Sequence, residues 1–458
     1  MLVGSEMTYD EAIAFWYERI NFEVRSAGPG DLKLERMRAL LRLVGDPHER
    51  FRVVHVTGTK GKGSTCAMVA TSLRAAGYRV GLFTSPHLVH VEERMRVNDT
   101  PITRDELAAR MAQIAPAVRA LEAGPWPPPT FFEISTALGF LHFVSRRVDF
   151  AVVEVGLGGR FDSTNVCHPL VSVITSIGFD HTAQLGSTLE AIAYQKAGII
   201  KRRVPVVVGV TQPGPRAVIE HVADETGSRM VQLGRDFQYE YKPGPVIDGQ
   251  EPRGLGAVRV SQEGRDGPTY ELGLLGEHQA ANAAVAVATL EELRREGVPI
   301  PDTAIARGLR DVKWPARIEL VCARPVVILD SAHNVPSAEA LVATLRQSVP
   351  VPGRKVVVFA VSSDKQFADI LRLLGGYFDH FYLTRYGNNP RCVAPEQLVS
   401  TLQAVAPGRS ASVHPTAHEA WHAARSAAGP DDLVCVTGSV FLAGELQDAV
   451  RESQPAGR

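Results

Sequence analysis

Val53-Val54-His55-Val56-Thr57-Gly58-Thr59-Lys60-Gly61-Lys62-Gly63-Ser64-Thr65 is the stretch on which the reading of this chain turns. It opens as a β-branched apolar run, the pattern of a buried strand. It breaks at Gly58, passes two further glycines around Lys62, and enters an alanine-rich segment read as an amphipathic helix ending near Gly77. Backbone N–H groups and the dipole at such a helix start favour a phosphate. Lys62 adds a mobile charge, and Ser64 or Thr65 a hydroxyl near a metal ion. The fit to G-x-x-x-x-G-K-[ST] is imperfect, because Gly63 separates Lys62 from Ser64. A plain strand-turn-helix is the competing reading; a variant phosphate loop is the preferred one.

Working outward, the bulk numbers narrow the field. The chain has 458 residues, enough for two domains or more. With 45% hydrophobic and 22% charged residues it is globular in composition. A net charge of -1 implies neither a nucleic-acid partner nor a membrane surface. No apolar run is long enough to span a bilayer, and the first thirty residues lack a leader pattern, so a cytoplasmic location is expected. The five cysteines, Cys66, Cys167, Cys322, Cys392 and Cys435, form no C-x-x-C pair and indicate neither a disulfide frame nor a zinc site.

Strand-like and helix-like segments alternate on both sides of the loop. Val148 to Val155, Leu170 to Ile177 and Val204 to Val210 read as parallel-type strands. Thr8-Tyr9-Asp10-Glu11 and Ser187-Thr188-Leu189-Glu190 read as capping boxes. Residues 234–275 read as hairpins attached to the main sheet. The alternation restarts beyond Val312-Lys313-Trp314-Pro315. The expected fold is α/β: an N-terminal P-loop ATPase-type domain with a mostly parallel sheet over 1–312, and a smaller C-terminal Rossmann-like α/β domain over 313–458.

Ligands gather beyond the carboxyl ends of parallel strands. Glu154 sits at such an end, where a buried carboxylate needs a partner or a metal, so a magnesium ligand is preferred over a structural salt bridge. Ser85, in Thr84-Ser85-Pro86-His87-Leu88, lies either on that rim or in an ordinary Ser-Pro turn. Lys196 falls in a last helical turn, where the dipole alone explains a cation. Phe131 and Phe132 open a helix, a setting more often core than ligand contact.

Five segments occur in order: Thr57 to Ser64, Thr84 to Leu88, Glu154-Val155-Gly156-Leu157-Gly158-Gly159-Arg160, Asp162-x-Thr164-Asn165, and Asp330-x-Ala332-His333-Asn334. Together they resemble the folylpolyglutamate synthase / dihydrofolate synthase family, within the Mur-ligase superfamily, through to Val436-Thr437-Gly438-Ser439. That family's phosphate loop carries the extra glycine. The resemblance implies an ATP-dependent acid–amino-acid ligase working through an acyl phosphate. It implies that Gly58, Thr59, Lys60, Gly61, Lys62, Gly63 and Ser64 hold ATP, with Asn282, Arg317 and Asp330. Ser85 and Glu154 would ligate one magnesium, and His181 a second, helped by a carbamylated Lys196, which displaces the dipole reading of that lysine. His333 would sit near the reacting groups.

Asp31 and Leu32, Thr130, Phe131, Phe132 and Glu133, and Phe161, Asp162 and Ser163 match segments that contact the pterin. The implied substrates are dihydropteroate or folate, glutamate and ATP, with a monomer expected. Lys33 and Lys60 stand where glycine and asparagine are common, Ser331 replaces a frequent glycine, and Ser363-Asp364-Lys365-Gln366 lacks a frequent second aspartate. A ligase with only the polyglutamylating activity, another Mur-type ligase and a regulatory GTPase are the alternatives. The last lacks its guanine-reading motif, since the chain has no Asn-Lys dipeptide.

Overall fold

The computed structural model describes residues 7–21, 34–244, 247–248, 251–252, 255–387, 389 and 391–452. Asp31, Leu32 and Lys33 lie outside the described residues, so the expectation placed on them stands where it was. The described residues form two compact units: Met1–Glu240 with Arg259–Tyr270 and Ala281–Asp311, and Tyr241–Val258 with Glu271–Ala280 and Val312–Arg458.

The first unit is built on an eight-stranded sheet. Its strands in chain order are β1 (Arg52–Thr57), β2 (Val80–Phe83), β3 (Met95–Val97), β4 (Thr100–Pro101), β5 (Phe150–Glu154), β6 (Val171–Ile174), β7 (Val206–Val208) and β8 (Met230–Gln232). Their order in space is β4-β3-β2-β5-β1-β6-β7-β8. All neighbours pair in parallel except β2 with β3 and β3 with β4. β1 lies between β5 and β6, with Val56 opposite both Glu154 and Val173. The loops leaving β1, β5 and β6 therefore emerge side by side at one edge. Five of the six residues of β1 are buried, as a strand covered on both faces requires.

The helix after the phosphate loop, Lys62–Ala75, differs from its reading as amphipathic. Every residue from Ser64 to Leu73 is buried. Small side chains (Ser64, Thr65, Ala67, Ala70, Ser72) let neighbours close around it, so there is no solvated face. Helix Asp302–Asp311 packs on it with Gly308 against Ser72, where an added Cβ would lie 2.2 Å from Ser72 Oγ.

Two local expectations also need correction. The helix Leu189–Ala197 is capped by Thr188, whose hydroxyl accepts from Ala191 N–H. Ser187 stands one residue too early, and Glu190 cannot reach back as a capping box demands. The region after 234 forms its own sheets, of which one joins Phe237–Lys242, Gly256–Gln262 and Thr269–Leu272 and another joins Ile247–Asp248 to Glu251–Pro252. Neither is part of the eight-stranded sheet. The Thr8 capping box is present as read.

The second unit carries a six-stranded sheet, ordered Glu319–Ala323, Val326–Leu329, Leu433–Thr437, Lys355–Phe359, His380–Leu383, Ser410–Val413. Only the first pair is antiparallel. Among the described residues no helix is long and apolar enough to cross a membrane.

Candidate active site

Gly61 is the N-cap of the helix Lys62–Ala75, at φ +83°. An added Cβ there would lie 2.1 Å from Asn282 Oδ1, so the position needs glycine for its backbone and for its neighbour. Gly58, at φ +152°, is pressed on Thr175, whose Oγ1 would sit 1.9 Å from an added Cβ. Lys62, Gly63 and Ser64 make up the first helical turn, the geometry of a phosphate-binding helix start. Asn282 is thus against the phosphate loop, while Arg317, Asp330 and His333 belong to the other unit.

The loop after β6 is stitched to the phosphate loop. Thr175 Oγ1 and Ser176 Oγ donate to the Lys60 carbonyl at 2.6 and 3.0 Å, and Lys60 N–H donates to Ser176 Oγ at 2.9 Å. Thr59 Oγ1 donates to Gly178 O and accepts from Gly178 N–H. Lys60 Nζ lies 3.0 Å from Asp180 Oδ2, and His181 follows in the left-handed region at φ +50°.

Glu154 ends β5 and is 4% exposed. Its Oε2 accepts from Ser85 N–H at 3.2 Å, and its Oε1 lies 4.0 Å from Lys62 Nζ. Ser85, Glu154 and Lys62 are therefore brought together as expected from strand ends.

Lys196 is 5% exposed and its Nζ donates to the Gly58 carbonyl at 3.0 Å. Burial, reinforced by the charge of Lys62, lowers its pKa to about 7. A cation serving only a helix dipole would sit in solvent, so the buried placement answers that earlier reading.

The residues matched to pterin contacts divide. Phe132 lies against Gly156, where an added Cβ would meet its ring at 2.4 Å, and Phe161 is exposed. Ser163 Oγ is 2.6 Å from Thr136 Oγ1, on the helix Phe131–Ser145 that also carries Phe132. Phe131 is in the core, stacked on Trp16 at 4.8 Å with its carbonyl accepting from the Trp16 indole. Thr130 and Glu133 form the cap of that helix, and Glu133 also takes the guanidinium of Arg36 at 2.8 and 2.9 Å. Asp162 is buried and accepts from Leu157 N–H, Thr164 N–H and the Thr164 hydroxyl. It shapes the glycine loop beside β5, and burial raises its pKa.

In the second unit Asp330 is 5% exposed and accepts from Ala332 N–H (2.7 Å), Ile318 N–H (3.0 Å) and Thr437 Oγ1 (3.0 Å). Burial raises its pKa. Ser331 joins the other two, since its hydroxyl is bonded by Arg317 and its carbonyl lies 2.9 Å from His333 Nδ1. Sequence reasoning gave no site role to Thr175, Ser176 or Thr437, whose position just past or ending apolar strands was the available signal.

The Mur ligase middle-domain family matches residues 56–290, and the Mur ligase glutamate-ligase-domain family matches residues 316–440. A dihydrofolate synthase/folylpolyglutamate synthase of Bacillus subtilis is 36% identical over 445 residues, covering 97% of this chain and 99% of that protein. The chain belongs to the folylpolyglutamate synthase/dihydrofolate synthase family of Mur ligases. Like other members of the folylpolyglutamate synthase/dihydrofolate synthase family, it is an ATP-dependent ligase that forms C–N bonds. The folylpolyglutamate synthase of Lacticaseibacillus casei is 35% identical, with 99% of this chain and 100% of that protein covered. The Escherichia coli protein FolC, solved in complex with DHPP and ADP, superimposes with a TM-score of 0.81 at 30% identity, covering 96% and 98% of the two chains.

Proposed function

We propose that this ligase adds L-glutamate both to dihydropteroate and to tetrahydrofolate, through an acyl-phosphate intermediate. The observation that carries the proposal is the grouping of Lys62, Glu154 and Ser85 beside a helix N-terminus at the strand ends. That grouping suits two anions, a nucleotide triphosphate and a carboxylate, brought together. ATP is supported by the ADP held in the Escherichia coli structure. The Bacillus subtilis relative is named for both activities, which favours the pair over polyglutamylation alone. The Lacticaseibacillus casei relative, named only for the second, supports the narrower reading.

Magnesium fits the donors at the strand ends. Carboxylate and hydroxyl oxygens at Glu154 and Ser85 are the hard ligands it prefers. Magnesium is commonly bound through one or two carboxylates and completed by substrate phosphates. We assign one ion to Ser85 and Glu154 and a second to His181 with Lys196. Bound magnesium would offset the charge of the phosphates and polarise the γ-phosphoryl group.

The chain's own residues do the rest. Backbone N–H groups of the first helical turn orient the phosphates, and Lys62 places its charge where negative charge gathers. The acceptor carboxylate attacks the γ-phosphorus and ADP leaves. The glutamate amine then attacks the acyl carbon, loses a proton, and expels phosphate. Lys196, with a pKa near 7, holds a substantial neutral fraction at neutral pH. A neutral amine can add to carbon dioxide, forming an N–C bond and releasing a proton, which turns a cation into a carboxylate-like ligand. Residues 1–312 would hold ATP and 313–458 would carry the glutamate-ligase part, in a cytoplasmic monomer.

The test is ADP release assayed with glutamate and either dihydropteroate or tetrahydrofolate. Glutamate-dependent release with both is the expected result. Silence with dihydropteroate alone leaves only the polyglutamylating activity, and release indifferent to glutamate and to both acceptors sinks the proposal.

A further inference from the structure

Lys60 belongs to the phosphate loop in sequence, yet its side chain is engaged elsewhere. Its Nζ contacts Asp180 Oδ2 at 3.0 Å, across 120 residues of chain. The other oxygen, Asp180 Oδ1, accepts from the His181 N–H at 3.1 Å. Both backbone groups of Lys60 are fixed by Thr175 and Ser176, so the direction in which its side chain leaves the loop is fixed too. Thr59 and Gly178 clasp each other one residue before Lys60 and two before Asp180.

We infer that Lys60 is a positioning residue: its ion pair with Asp180 ties the loop Thr175–His181 to the phosphate loop and so places His181, rather than gripping a nucleotide phosphate. The assignment of His181 to metal binding is the reading proposed above, and the inference rests on it. Lys62, in the first helical turn, is already the cation aimed along the strand ends toward Glu154. An ammonium carries three donors, and one of those of Lys60 is spent on Asp180, the carboxylate beside His181 where the chain adopts a left-handed turn. A shorter polar side chain at position 60 cannot span to Asp180, so the strap depends on the length of lysine or arginine. The pair is partly exposed, with side chains 41% and 30% accessible, so its strength is that of a modest ion pair acting through position.

The test uses the full chain with K60N, K60R, D180N and the K60N/D180N double substitution. Three quantities are read: kcat with KM for ATP, the affinity for ADP in magnesium chloride, and amide hydrogen exchange over residues 176–182. K60N and D180N are each expected to lower kcat about fivefold. KM for ATP and ADP affinity stay within about twofold, as removal of a non-contacting residue requires. The double substitution falls no further than either single one, because one interaction is lost in all three. Exchange at Gly178 to His181 quickens in K60N and D180N, and K60R restores both exchange and turnover. A tenfold or greater loss of ADP affinity in K60N that D180N does not share makes Lys60 a phosphate contact and overturns the inference, with the factor set by a lost charged contact. Additive losses, or unchanged exchange, overturn it as well. Absence of glutamate-dependent turnover in the unaltered protein sinks the functional reading instead, while exchange and ADP affinity still decide the strap.

Discussion

Lys196 Nζ donates its hydrogen bond to the carbonyl oxygen of Gly58, so a buried lysine is anchored on the first glycine of the phosphate loop. Its depressed pKa follows from that burial and from Lys62 nearby. The sign is fixed: between about 7 and 10.5 the unfolded chain holds a proton that the folded chain does not. Stability from this group rises with pH through that window, and near neutrality the buried amine opposes folding. Lys196→Met should therefore abolish turnover while raising the melting temperature by about 1–3 °C, since an apolar chain of similar length removes the desolvation cost. Lys196→Ala should also be inactive, with bicarbonate unable to restore it and a short carboxylic acid partly able to. Full activity in either variant would contradict the metal-bridging role.

Glu154 offers a separate test of the strand-end grouping. Glu154→Gln keeps the shape, and its amide oxygen can still accept from the Ser85 N–H. The fold should be intact by melting. The magnesium concentration giving half-maximal turnover should rise by roughly tenfold, the usual scale for weakening a metal site. Unchanged magnesium dependence would reassign Glu154 to the Lys62 contact alone.

What could be read from the sequence was local. The phosphate loop, the Thr8 cap and the apolar strands β1, β5 and β6 depend on neighbours within a few residues, and those signals survive in one dimension. The partner of Lys60 was not legible, because Asp180 comes to it only through the adjacency of β1 and β6. Phe131 and Phe132 are neighbours facing different surroundings, one stacked on Trp16 and the other with its ring against the backbone of Gly156, and the helix phase that separates them is set by tertiary packing. The edge strand Glu319–Ala323 was missed because it lacks clean alternation and follows two left-handed residues, Ala316 and Ile318. Asp330 shows the reverse case: its motif was visible, but its engagement with the backbone of Ile318 and Ala332 was not.

The pair Arg36–Glu133 fastens helix Leu34–Leu43 to helix Phe131–Ser145, with each residue only 5% exposed. Glu133 also closes the capping box with Thr130. Glu133→Ala leaves the guanidinium of Arg36 buried without its main counter-charge, and should cost about 3–5 kcal/mol by urea denaturation. Replacing both residues with apolar ones should recover most of that loss, because the penalty lies in the stranded charge. If the single substitution costs no more than a surface change, the pair is not holding the two helices.

His55 lies in the middle of β1, wholly buried, with Nε2 2.9 Å from Thr164 Oγ1 and Nδ1 buried without a hydrogen-bond partner. Burial, and then the charge of Lys201, lowers its pKa to about 3, against 6.5 for the free imidazole. The folded protein keeps this ring neutral while the unfolded chain protonates it near 6.5. Stability from His55 is fully present above that value and is lost as pH falls from 6.5 toward 3, by ~1.4 kcal/mol for each pH unit inside the window. Urea midpoints measured at pH 7 and pH 5 should converge in His55→Gln relative to the unaltered protein, because the glutamine cannot take up the proton. An equal pH dependence in both proteins would place the acid sensitivity on other groups and leave His55 as packing alone.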